Sequence, residues 1–144
     1  MSTLRPETAL RAVLMDAAPV TAIIGTRLTR SVAPQKSPHP FGIFARTKTE
    51  PEYHTAGRSD LREVEVMFAW YHTDFDALAD LVEKVEDALS GFAGDVAVES
   101  QTVNIDTAYL TNEWDGDVLT ADGSGEPLYC INQTFRVAYN LNLD

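Results

Sequence analysis

The sequence predicts an α+β fold: one domain with a mostly antiparallel β-sheet of about four to six strands and two main α-helices packed on it. Three observations predict this. Two segments carry apolar residues at helical spacing, near 6–18 and 74–90. Several others alternate between apolar and polar residues or are rich in β-branched and aromatic ones. The order, which is helix, short turn, three strands, helix and two strands, does not match a repeating βαβ pattern. With 144 residues, the folded chain would expose roughly 7,000 Å², against about 23,000 Å² when extended. That is enough burial for one ordinary core, with no metal or disulfide staple required.

Pro6 and Glu7 suit a first helical turn, and Leu10, Val13, Leu14 and Ala17 then recur on one face. Pro19 is expected to stop this helix. "VTAIIG" (20–25) reads as a short helical turn with a glycine cap. "RLTRSVA" (27–33) alternates and predicts a strand, the proline-rich "PQKSPHP" follows, and "FGIFART" (41–47) predicts a second strand. Residues 48–60, "KTEPEYHTAGRSD", read as an exposed loop.

"LREVEVMFAWY" (61–71) is the clearest strand, although a slip of phase between Leu61 and Val64 allows a bulge or a late start. Asp74 caps the second helix, whose apolar face is Phe75, Leu78, Leu81, Val82, Val85 and Leu89, with Gly91 just past its end. Its other face carries Asp76, Asp80, Glu83, Lys84, Glu86 and Asp87. Residues 96–114 predict one long strand or two short ones, and 127–143 a closing strand. The acidic, glycine-rich stretch "NEWDGDVLTADGSGEPLYC" (112–130) then connects two strands that should pair as a long hairpin.

Eleven Lys and Arg stand against 22 Asp and Glu, a formal net charge of −11. Phosphate binding needs clustered cations, so tight direct binding to nucleic acid is not expected. No segment approaches the length of a membrane span, and the first residues lack an apolar signal core and a cleavage site. A soluble protein made in a cytoplasm is expected.

The acidic stretch fits a calcium site, a catalytic cluster or a solvated connection. Asp115, Asp117 and Glu126 occupy positions 1, 3 and 12 of an EF-hand loop, but Leu119 and Thr120 fall where an oxygen ligand and a glycine are needed. Two catalytic carboxylates need fixed positions in a cleft, which a glycine-rich hairpin tip does not offer. His39, His54 and His72 have no partner at zinc-ligand spacing, and no phosphate loop, nucleophile elbow or CxxC occurs. Cys130 is the one cysteine and falls in an apolar alternating segment, where a buried structural thiol is expected. The expectation is therefore no catalytic residue, no metal and no cofactor.

The order of features over 9–92 carries more information. An opening helix, "VTAIIGTRL", a Pro-x-Pro-Phe entry to a strand, the Thr-x-Gly-Arg of "TAGRS", an alternating strand and a helix ending in "ALSGF" follow one another. In this order and spacing the chain resembles the tail completion, or tail terminator, proteins of long-tailed double-stranded DNA phages and gene transfer agents. The last third matches mainly through its two terminal strands, and the acidic insertion departs from the simplest family pattern.

The resemblance implies a structural subunit of a ring, commonly a hexamer, that stops tail-tube polymerisation and forms the surface joining the tail to the head. The implied partners are other copies of the chain, the tail-tube protein and a head-completion or neck protein. DNA would pass through the ring without specific binding, and the acidic balance fits such a lumen. The implied location is the host cytoplasm during assembly and then the head-proximal end of the tail. Contacts to neighbours are expected from Thr55, Gly57 and Arg58 and from Asp115, Asp117, Asp122 and Glu126. Two other readings stay open at this point: a neck or head–tail connector subunit, and a small soluble ligand- or metal-binding domain.

Overall fold

The computed structural model describes residues 4–33, 38–54, 57–120 and 125–140, with side chains described except at 48–54 and 57–61. The chain runs α1 (Pro6–Met15), α2 (Ala18–Ile24), β1 (Leu28–Arg30), β2 (Phe41–His54), β3 (Gly57–His72), α3 (Phe75–Leu89), β4 (Gly94–Val98), β5 (Gln101–Asp115), β6 (Leu119–Thr120) and β7 (Pro127–Asn140). The strand order is β1-β2-β3-β7-β5-β4, with β6 paired to β7.

Two features correct the expected sheet. It has seven strands, and it is mixed, because β1 runs parallel to β2 while the other pairs are antiparallel. A third helix is also present: Pro19 lies in the first turn of α2, where its missing N–H costs nothing, so it opens a helix as well as following one. Gly25 ends α2 with φ 59°, a conformation that favours glycine.

The expected loop over 48–60 is instead a hairpin. β2 continues to His54 and β3 begins at Gly57, with Tyr53 opposite Arg58 and His54 opposite Gly57. Polar residues disguise these strands because the ladder is satisfied by backbone groups, whatever the side chains are. The ladder has two irregularities. One is an extra residue on β2 between Arg46 and Lys48. The other lies between Pro51 and Tyr53, where two steps along β2 match four along β3, so that the surplus residues lie on β3 just before Arg62, beside the slip expected after Leu61.

β7, the last strand in sequence, lies in the middle of the sheet, antiparallel to β3 on one side and β5 on the other. That position explains why Ile131, Gln133, Phe135, Val137 and Tyr139 are buried on one face while Cys130, Thr134 and Ala138 are buried on the other.

All three helices contribute to the core, through Leu10 and Leu14, Val20 and Ile24, and Leu78, Leu81, Val85 and Leu89. Against them pack Val64, Val66, Phe68, Trp70, Phe135 and Val137 from the sheet. Each buried aliphatic side chain contributes about 2 kcal/mol. α3 lies over β3, β7 and β5, while α1 touches both β2 and β4, near opposite edges of the sheet. Only a sheet curled around its helices allows that. The folded surface of 7654 Å² agrees with the expectation from chain length.

A polar link crosses this core. Trp70 Nε1 donates to Gln133 Oε1 at 3.0 Å, and Gln133 Nε2 donates to the Val82 carbonyl of α3 and to Glu113 of β5, each at 3.0 Å. Gly42 faces Trp70 across the β2–β3 ladder, and a Cβ there would come within 2.5 Å of the indole ring. Glycine is what lets the indole lie flat against β2.

Candidate functional site: assembly surfaces

The first surface grows from one buried acid. Glu7 stands in the first turn of α1 with no exposed surface. A carboxylate taken from water needs charged partners, and three segments supply them. Arg5 Nε lies 2.8 Å from Oε2, Arg30 Nη1 lies 2.9 Å from Oε2, and Arg46 Nη2 lies 3.0 Å from Oε1. Arg30 also donates to the Thr8 hydroxyl and lies over the Phe44 ring, 5.1 Å from its centroid.

Burial alone would raise the Glu7 pKa. Its own backbone amide and the Arg30, Arg5 and Arg46 guanidiniums outweigh that and hold it down at about 2. Three arginines thus converge on one carboxylate, and the Arg5 and Arg30 side chains keep 58% and 43% of their surface exposed. The outcome is a fixed, outward-facing positive hub on an acidic protein.

The second surface is the far end of β5. Thr111 to Asp115 are all exposed, and so are Asp117 to Thr120 beyond them. Trp114 is 40% exposed, Val118 58% and Leu119 50%. The root of this arm is pinned: the Gly116 amide donates to the Cys130 carbonyl at 2.9 Å. A Cβ on Gly116 would fall 2.9 Å from both Cys130 Sγ and Asn132 Nδ2, so the close approach requires glycine.

Cys130 is buried, and burial pushes its thiol pKa up; a hydrogen bond with Tyr71 opposes this, while Asp115 and Asp117 add to it. Burial and the Cys130 contact push Tyr71 to about 12. A thiol so placed is not a nucleophile at neutral pH.

Asp115 ends β5 opposite Ile131, Asp117 is exposed in the following turn, and Glu126 is exposed just before β7. The structure brings these three to one hairpin; Asp122 and Thr55 lie outside the described residues. Gly57 and Arg58 belong to the β2–β3 hairpin, and the Arg58 side chain also lies outside the description. The described members of the two sets do not meet. Asp115, Ile131, Trp70 and Gly42 share a row across the sheet, and Gly57 stands 13 residues along β3 from Trp70, roughly 40 Å away along the strand.

Sequence reasoning missed the Glu7 hub, because its arginines are scattered over 5–46 and no local motif joins them. One signal was available. Residues 1–62 hold nine of the eleven basic residues and five of the 22 acids, while residues 63–144 hold two and 17.

His39 and His72 have ring centroids 5.7 Å apart, and burial, then His39 and Arg27, outweigh Asp74 in lowering the His72 pKa. Among the described residues no three His, Cys, Asp or Glu converge as ligands, and no helix is long and apolar enough to cross a membrane.

The sequence profile of the family described as tail completion protein gp17 matches residues 8–124. The chain belongs to that family. It is a structural protein of a phage tail and not an enzyme. The tail completion match takes in Arg30 and Arg46 of the first surface and the far end of β5, and it begins just after Glu7. No curated protein sequence matches the chain.

Among solved structures 22 chains match. One is a chain of "Virion of native gene transfer agent (GTA) particle", with a TM-score of 0.69 over 93% of each chain and 14% identity. At that identity the likeness speaks for the fold, and it agrees with the tail completion profile.

Proposed function

We propose that the chain is a tail terminator: copies of it close a ring, a hexamer, on the growing tail tube, stop its elongation and form the surface to which the head joins. The observation that carries this reading is the tail completion profile over 8–124. The family-like order of elements supports it, as does an acidic balance that leaves DNA free to pass through the ring unbound. The partners are other copies of the chain, the tail-tube protein and a head-completion protein. Assembly takes place in the host cytoplasm and ends at the head-proximal end of the tail.

Thr55, Gly57 and Arg58 at the β2–β3 end, and Asp115, Asp117, Asp122 and Glu126 in the β5–β7 connection, are assigned to contacts with neighbouring proteins. The separation of Gly57 from Asp115 along the sheet suits contacts with two different neighbours. The test is polymerisation of purified tail-tube protein with and without this chain. Elongation should stop at chain levels far below those of the tube protein, because only tube ends are capped. Unchanged elongation, with the chain binding finished heads instead, would favour a neck connector.

A further inference from the structure

We infer that the acidic, apolar arm beyond β5 of one copy docks on the basic hub around Glu7 of the next copy. This deepens the ring reading and rests on it.

The two surfaces match in chemistry. The hub presents Arg5 and Arg30, two half-exposed guanidiniums that share the one buried Glu7 carboxylate. Beside it Val32, 75% exposed, follows Arg30 through a tight turn in which its amide bonds the Arg30 carbonyl at 2.7 Å. The arm presents Asp115 and Asp117 with Trp114, Val118 and Leu119. Basic with apolar thus meets acidic with apolar, a pairing that gives both burial and orientation.

One chain does not satisfy its own surfaces. In the register, Arg30, Phe44, Phe68, Gln133 and Glu113 share one row, so hub and arm are four strands apart, roughly 19 Å along the sheet. The ion-pair partner of both Arg5 and Arg30 is Glu7, and neither reaches Asp115 or Asp117. The charge division between residues 1–62 and 63–144 also favours contact between unlike halves of two copies. Such a contact is heterologous, and heterologous contacts close rings when the rotation between copies allows. It also answers the repulsion expected between copies that each carry a net charge of −11.

The test uses the full chain with Cys130→Ala, carrying either Val32→Cys or Val118→Cys, both at exposed positions. Under mild oxidation, an equimolar mixture should give a disulfide-linked dimer that neither variant gives alone. Adding Asp115→Lys and Asp117→Lys to the Val118→Cys chain should lower the dimer yield about tenfold or more. Wild-type mass by light scattering is measured in parallel. A wild-type chain that self-associates while the mixture gives no specific dimer would overturn this pairing and leave the ring reading standing. A mixture that crosslinks equally well after charge reversal would overturn the role of the acids. A wild-type chain that stays monomeric, with no crosslink, would overturn the pairing, and the tube-capping assay would then judge the ring reading on its own.

Discussion

Glu7 makes acid sensitivity a property of one residue. Its pKa is about 2 when folded, against 4.5 as a free side chain. A lowered carboxylate pKa adds stability above the unfolded value and loses it as pH falls through the folded one. The contribution is therefore full above pH 4.5, worth about 3 kcal/mol, and disappears towards pH 2. Denaturant midpoints measured across this range should fall steeply for the wild type. Glu7→Gln should be destabilised by about 3 kcal/mol at neutral pH, with three arginines left around a neutral group, and should flatten the pH profile. A steric prediction belongs beside it: Gly42→Ala drives a methyl into the Trp70 ring and should cost about 1–3 kcal/mol in chemical denaturation. At this scale the sequence was partly legible. The Asp74 cap and the buried Cys130 followed from neighbouring residues, whereas the Glu7 hub needs three arginines that only the fold assembles.

The elements differ in how openly they declare themselves. α3 was readable to within a residue, since its apolar positions repeat at helical spacing between a capping aspartate and a glycine. The ends of β2 and β3 were not, because 48–60 is polar and its pairing is a matter of backbone hydrogen bonds. β1 was legible as a strand but not as the parallel one, since direction depends on where the chain re-enters the sheet. The central place of β7 was equally hidden, although it decides the fold. A chain ending at residue 126 lacks the strand that bridges β3 and β5, and should show no cooperative unfolding transition in circular dichroism. Within β7, Gln133→Leu leaves the Trp70 N–H and the Val82 carbonyl without their partner, and should lower stability by about 1–3 kcal/mol by the same measurement.

For the whole molecule, net charge was legible as a number but not as a distribution. The −11 total points only to repulsion, while the structure gathers Arg5, Arg30 and Arg46 on one carboxylate and sets the exposed acids of the β5 arm elsewhere. Size, a single core and membership of a tail completion family then describe a part made to be joined to other parts. The most direct measurement is the length distribution of tails, by electron microscopy, in lysates where the gene for this chain has been deleted. A terminator predicts tails of unregulated length with no heads attached, restored to one length when the chain is supplied. Tails of a single normal length in its absence would contradict that role.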